Sequence, residues 1–183
     1  MKATGVVRRV DELGRIVVPK EIRKNLRIRT GTPLEIFIDS TGSVVFKKHS
    51  AIAELADFAY AVTDAIVAAS ELVALVVDMD KVVAVSGDKR KEFIDSPVSN
   101  QLEEAISNRK PIVLNKASAS KLIDIKQDGA ATYNSMIIGP VVANGDCFGA
   151  VVLVSFADNA NFGDCEVKIA QTMAQFLAKH LES

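Results

Sequence analysis

Cysteine, histidine and aromatic residues are scarce in this chain of 183 residues: Cys147 and Cys165, His49 and His180, two tyrosines, eight phenylalanines and no tryptophan. Two cysteines make no disulfide framework, so a reducing compartment, the cytoplasm, is expected. Neither histidine has a metal-ligand neighbour at i+3 or i+4, and no metal site is expected. There is no pattern of stacking aromatics, which argues against single-stranded RNA. The ten glycines are scattered and form no phosphate-binding loop. No apolar run approaches the ~18–20 residues that cross a bilayer. The opening Met1-Lys2-Ala3-Thr4-Gly5 runs into Val6-Val7-Arg8-Arg9 without the apolar core of a secretory signal, so neither an anchor nor a leader is expected.

Net charge is also nearly missing, at -1, but this total hides a division. Residues 1–50 carry eleven Lys and Arg against five acids, a net of +6; residues 51–183 carry eleven against eighteen, a net of -7. A basic head on an acidic body implies that the head alone approaches a polyanion.

The head reads as short strands around one short helix. Residues 6–10 are a β-branched run, Glu12-Leu13-Gly14 a turn, and residues 15–18 a second strand. Pro19 suits the first helical position, and residues 20–26 make about two turns. Ile22 and Leu26 form an apolar stripe there. Lys20, Arg23, Lys24 and Arg27 form the opposite, basic one. Residues 34–39 alternate, with Leu34, Ile36 and Ile38 on one face, and Ser40-Thr41-Gly42 turns the chain into a return strand over 43–48. About 45 residues without disulfide or metal bury too little to be stable alone, so two heads are expected to share one core.

The run from Met1 to Arg23, and above all Asp11-Glu12-Leu13-Gly14-Arg15-Ile16-Val17-Val18-Pro19, resembles the DNA-binding head of the AbrB family of bacterial transition-state regulators. The resemblance covers about the first 50 residues. It implies a swapped-hairpin β-barrel dimer that grips double-stranded DNA with arginines from both chains, its DNA-contacting basic positions falling on Arg8, Arg15, Arg23 and Lys24. Arg9 and Lys20 adjoin these in the same basic run, and the six are the expected DNA-binding set.

The body begins with a helical pattern over 51–70, where Ile52, Leu55, Ala59, Val62, Ile66 and Ala69 repeat at heptad spacing. It ends with another, in which Asp164 is a plausible cap and Val167, Ala170, Ala174, Leu177 and Leu181 repeat likewise. These helices either cover the sheet of their own domain or also pack against another subunit, with Phe58, Ile169, Met173 and Phe176 as a second stripe. Between them lie strands at 72–78, 81–86, 111–114, 135–143 and 147–156. A helix begins after Ser96-Pro97, and a short helix is expected near 118–123. Asn144-Gly145-Asp146 is a strong hairpin signal. Asp78-Met79-Asp80 reads as a turn capping two strands rather than a metal pair.

This order gives an α+β body with an antiparallel sheet flanked by helices. The hairpin Ile138-Gly139-Pro140 through Gly149-Ala150-Val151-Val152, followed by a closing helix, resembles a GAF domain, a small-molecule sensing module. The expected organisation is a head at 1–50, a linker helix at 51–70 and a sensing and oligomerisation body at 71–183. An AbrB-like head on a GAF-like body implies a sporulation-type transcription regulator, cytoplasmic and nucleoid-associated. It would be a homodimer through the heads and a homotetramer through the bodies, with no membrane partner and no cofactor. An unidentified effector would touch 116–134 and 86–95. Two other classes stand beside this one. Antitoxins share the swapped hairpin, but they carry a disordered tail where this chain has a folded pattern. A thiol enzyme would use Cys165 at its helix start, yet no histidine accompanies that residue in sequence.

Overall fold

A computed structural model describes residues 5–115, 124–126 and 133–182. The expected helix at 118–123 and most of the expected effector segment 116–134 lie outside the described residues. The chain forms two compact units, Met1–His49 and Ser50–Ser183.

The first unit contains helix α1 (Lys20–Asn25) and the antiparallel strands β1 (Leu34–Ile38) and β2 (Val44–Lys48). Ile36 lies opposite Phe46 and Ile38 opposite Val44, so the expected apolar face exists. On the other face Glu35 lies opposite Lys47, whose ammonium sits 4.8 Å above the Phe37 ring. The strands expected at 6–10 and 15–18 are absent from the ladder. A strand needs a ladder partner for its backbone groups, and no ladder forms there among the described residues. Pro19 is the cap rather than the first helical residue; its carbonyl accepts from the Arg23 N–H at 2.9 Å. Arg27 leaves the basic stripe, because the helix ends at Asn25 and Arg27 takes a φ of +52°.

No described residue of this unit is buried. Among the described residues fifteen large hydrophobics are exposed, and twelve of them lie here, including Val7 at 86%, Ile38 at 76%, Leu13 at 74% and Val17 at 71%. The unit has the apolar residues of a core without a core.

The second unit is built on a five-stranded antiparallel sheet in the order β4-β3-β7-β6-β5. The strands are β3 (Val73–Asp78), β4 (Val82–Ser86), β5 (Ile112–Asn115), β6 (Ser135–Ala143) and β7 (Asp146–Ser155). Their continuous apolar runs follow from cover on both faces. Helices α2 (Ala51–Glu54), α3 (Ala56–Ala68) and α6 (Asp164–Leu181) pack on Ala74, Val76, Ile137, Val151 and Leu153. Helices α4 (Arg90–Phe93) and α5 (Asn100–Ser107) pack on Leu75, Val77, Ile138 and Val152.

The segment 51–70, expected as one linker helix, is not continuous. It breaks at Leu55 into α2 and α3, and Ile52, Ala59, Val62 and Ile66 are buried against the sheet of their own unit. The heptad seam is consumed in covering that sheet. Ser50 caps α2, its hydroxyl accepting from the Ala53 N–H at 3.2 Å. Gly163, rather than Asp164, caps α6, and Glu166 accepts its N–H at 2.9 Å.

The β6–β7 hairpin turns through Asn144 and Gly145 at φ values of +49° and +82°, the mirror-image turn that suits sheet twist. Further along β7, Gly149 leaves no room for a side chain. A Cβ there would lie 2.0 Å from the Val77 carbonyl oxygen and 2.7 Å from Ile52 Cδ1. Backbone cannot yield as a flexible side chain can, so Gly149→Ala should destabilise the body by about 3 kcal/mol. Denaturant unfolding followed by circular dichroism checks this.

Candidate nucleic-acid interface

The basic residues of the head are presented by a turn that one carboxylate organises. Asp11 Oδ1 accepts from the backbone N–H groups of Leu13 at 3.0 Å and Arg15 at 2.8 Å. Its Oδ2 accepts from Arg15 Nε at 2.8 Å. The Asp11 N–H donates to the Arg15 carbonyl at 3.0 Å, and Gly14 at φ +76° lets the chain reverse. The backbone and guanidinium of Arg15 hold the Asp11 carboxyl below its ordinary range. This accounts for the spacing of Asp11, Gly14 and Arg15 in physical terms. The aspartate closes the turn, the glycine takes the left-handed position, and the arginine is fixed at its Nε. The terminal nitrogens of Arg15 make no hydrogen bond among the described residues.

All six expected DNA-binding residues are exposed. Arg8 and Arg9 precede the turn, Arg15 closes it, and Lys20, Arg23 and Lys24 lie on α1, a helix with no buried residue. Apart from Arg15, none of them pairs with a carboxylate of a described residue. Lysine and arginine held in water without counter-charges can displace the ions condensed on a phosphate backbone. Sequence reasoning passed over Asp11 as an organiser, although its position four residues before Arg15 carries the signal.

A second carboxylate shapes the tip of the β1–β2 hairpin. Asp39 Oδ1 accepts from the N–H groups of Thr41 and Ser43, both at 2.9 Å, and from the Thr41 hydroxyl at 2.6 Å.

In the body the polar groups are engaged structurally. The buried Asp78 accepts from Ser50 Oγ at 2.6 Å, the Asp80 N–H at 2.7 Å and the Lys81 N–H at 2.6 Å, so it closes the β3–β4 turn as expected and ties α2 to it. The half-buried Cys147 donates its thiol to the Ile106 carbonyl at 3.3 Å, and burial pushes that thiol up. Cys165 is exposed near the start of α6. His180 lies fifteen residues further along the same helix, about 22 Å away at 1.5 Å per residue, too far for a nucleophile–base pair.

The sequence model of a family described as stage V sporulation protein T C-terminal, transcription factor, matches residues 54–182. The whole chain is 44% identical to stage V sporulation protein T of Bacillus subtilis (strain 168) over 183 residues, which is 100% of this chain and 99% of that protein. The chain belongs to the stage V sporulation protein T family.

It is a transcription regulator and not an enzyme. Its head, residues 7–52, also matches a family described as antidote-toxin recognition MazE, bacterial antitoxin. Over 49 residues it is 49% identical to transition state regulatory protein AbrB of the same organism, covering 27% of this chain and 50% of that protein. The body has the fold of the GAF-B domain of DevS from Mycobacterium smegmatis, with a TM-score of 0.53 and 17% identity over 69% of this chain and 91% of that one. The AbrB-like and GAF-like resemblances thus hold for their respective parts of this family member.

The hairpin tip yields a pH prediction. Hydrogen bonds from Thr41 and Ser43 push the Asp39 carboxyl down to about 2 from 3.8. A depressed carboxyl favours the folded turn above its unfolded value, and this contribution is lost as pH falls through the folded one. The Asp39 carboxyl should therefore titrate near 2, with the hairpin signals unchanged down to pH 4, when followed by NMR.

Proposed function

We propose that this regulator binds double-stranded DNA through Arg8, Arg9, Arg15, Lys20, Arg23 and Lys24, presented by a homodimer of heads at residues 1–50. The observation that carries the reading is the coincidence, in one unit, of exposed bases and an unburied apolar set. Burying one Val, Leu, Ile or Phe is worth ~1.5–3 kcal/mol, so Val6, Val10, Ile16, Val17, Ile36 and Ile38 together are ample to drive a shared core. Residues 6–10 and 15–18, which belong to no strand in one chain, would take ladder partners from the second. Two equivalent basic patches would then sit at a fixed separation.

The bodies, residues 71–183 with α2 and α3, are proposed to assemble the dimers into a homotetramer. The exposed rings of Phe58 and Phe176, with centroids 6.2 Å apart, form an apolar face on α3 and α6 left over after the sheet is covered. The GAF-like body is proposed to sense a small molecule and to act on the heads, which work in the cytoplasm at the nucleoid. An effector shifts the DNA-competent population only by its differential affinity for two body states. The antitoxin reading has the match of the head in its favour, but it leaves residues 54–182 without a role.

Arg8→Ala, Arg15→Ala and Arg23→Ala should each weaken DNA binding by ~1–3 kcal/mol with the fold intact. Each should also lower the salt slope by about 0.9. Fluorescence anisotropy over a salt series checks both, and binding by all three variants equal to wild type would overturn the assigned face. A full-length monomer in light scattering at micromolar concentration would overturn the assembly.

Coupling between head and body is tested at the unit boundary. Gly-Ser placed between His49 and Ser50 should leave dimerisation intact and abolish cooperative binding to paired sites. Unchanged occupancy of paired sites would mean that the heads act independently of the bodies.

A further inference from the structure

Asp11 does two separate things with its two carboxylate oxygens. Oδ1 accepts from the backbone N–H groups of Leu13 and Arg15, and this closes the turn. Oδ2 accepts from the side chain of Arg15, at Nε and 2.8 Å. Closing the turn needs only the first. An exposed ion pair four residues apart adds little stability, and this one has side-chain exposures of 69% for Arg15 and 38% for Asp11. Its consequence is therefore orientation. Arg15 is tied to Asp11 through its backbone N–H, its carbonyl and its Nε, so the guanidinium is fixed at the nitrogen nearest the chain. The two nitrogens at the tip are left clear. Glu12, the other acid of the turn, is exposed and makes no ion pair with a described residue, so it does not occupy the fork.

No other residue of the expected DNA-binding set is built this way. The side chains of Arg8, Arg9, Lys20, Arg23 and Lys24 make no hydrogen bond among the described residues. Charge is also distributed differently. The turn from Asp11 to Arg15 sets one arginine against two acids, whereas residues 6–10 carry two arginines and no acid, and α1 three bases and one acid. The turn therefore brings DNA less charge than its neighbours do, and what it offers is direction. A guanidinium fixed at its base and open at its tip suits a target with two acceptors in a set geometry and no charge of its own. The major-groove edge of guanine, with O6 and N7, is such a target.

We propose that Arg15 is the base-reading residue of the head, directed at guanine in the major groove, and that Asp11 is the positioning residue that makes it one. Both roles rest on the DNA-binding face proposed above and add which of its six cations discriminates sequence. In a groove the charge of Arg15 still acts on the phosphates, so the salt dependence given above holds.

The test uses the full chain and a duplex enriched by it from a randomised library. Each guanine is replaced in turn by 7-deazaguanine, which keeps Watson–Crick pairing and lacks the N7 acceptor. Replacement at the guanine that Arg15 reads should weaken binding about tenfold. In Arg15→Ala this penalty should vanish. In Asp11→Asn the remaining oxygen can still accept from the two backbone N–H groups, but the amide nitrogen cannot accept from Nε. The penalty should shrink severalfold, while mixed-sequence DNA binds at least as tightly as to wild type because an acid is gone. Added to Arg15→Ala, Asp11→Asn should change the penalty no further. No enriched sequence, no sensitive guanine, or a lower affinity in Arg15→Ala with the penalty intact would overturn the base reading. A penalty of wild-type size in Asp11→Asn would overturn the positioning role. If the melting curve shows that variant to be unfolded, Arg15→Lys decides, since it keeps the cation, loses the anchored nitrogen and leaves the turn's own acceptor in place: an unchanged penalty there overturns the role. Arg15→Ala binding enriched and mixed-sequence DNA as wild type does would mean instead that the DNA face is misassigned.

Discussion

Strand β3 is buried at each of its six positions, and the body is arranged around it. It pairs with β4 on one side and β7 on the other, so its backbone groups are satisfied laterally while both faces lie under helices. That double cover is what lets five strands with little alternation hold two separate cores. It also sets the tolerances. Gly149 on β7 approaches the Val77 carbonyl too closely for any side chain, and Gly139 on β6 meets the Ala170 carbonyl of α6, where a Cβ would lie 3.0 Å away. The last residue of β3, Asp78, is the polar exception, and its carboxylate is satisfied by the β3–β4 turn and by Ser50.

Much of this was legible in the sequence. The Asn144-Gly145 hairpin, the apolar runs of β3 and β7 and the closing helix all follow from local pattern, because turn chemistry and burial act at short range. The two readings of the bracketing helices could not be separated from spacing alone. Ile52, Ala59, Val62 and Ile66 repeat as a coiled-coil seam would, but they face a sheet, since a heptad stripe fits either surface. The strands expected at 6–10 and 15–18 are absent from the single chain for a different reason. β-branched residues encode a preference for a ladder, and the ladder exists only if a neighbour arrives. The basic residues of the head were found by type and signature, whereas Asp11, four residues before Arg15, was passed over as the residue that shapes their turn until its hydrogen bonds were seen.

The two units solve opposite problems. The body, at net -7, buries its apolar residues within one chain and carries its own caps at Ser50, Ser99 and Gly163. The head, at net +6, leaves its apolar residues exposed and spends its carboxylates Asp11 and Asp39 on turns. Opposite charge also keeps the acidic body from competing for the polyanion that the head is suited to meet.

The cap at Ser50 has an evolutionary consequence. The first residue of the second unit supplies both the hydroxyl that starts α2 and the hydrogen bond that seats it on Asp78. A genetic join made immediately before it would deliver the body with its opening intact, and would leave the preceding strand β2 and its hairpin whole. The boundary is thus a natural crossover for recombination, at which one reading head can be spliced to different cargo without either half having to be redesigned.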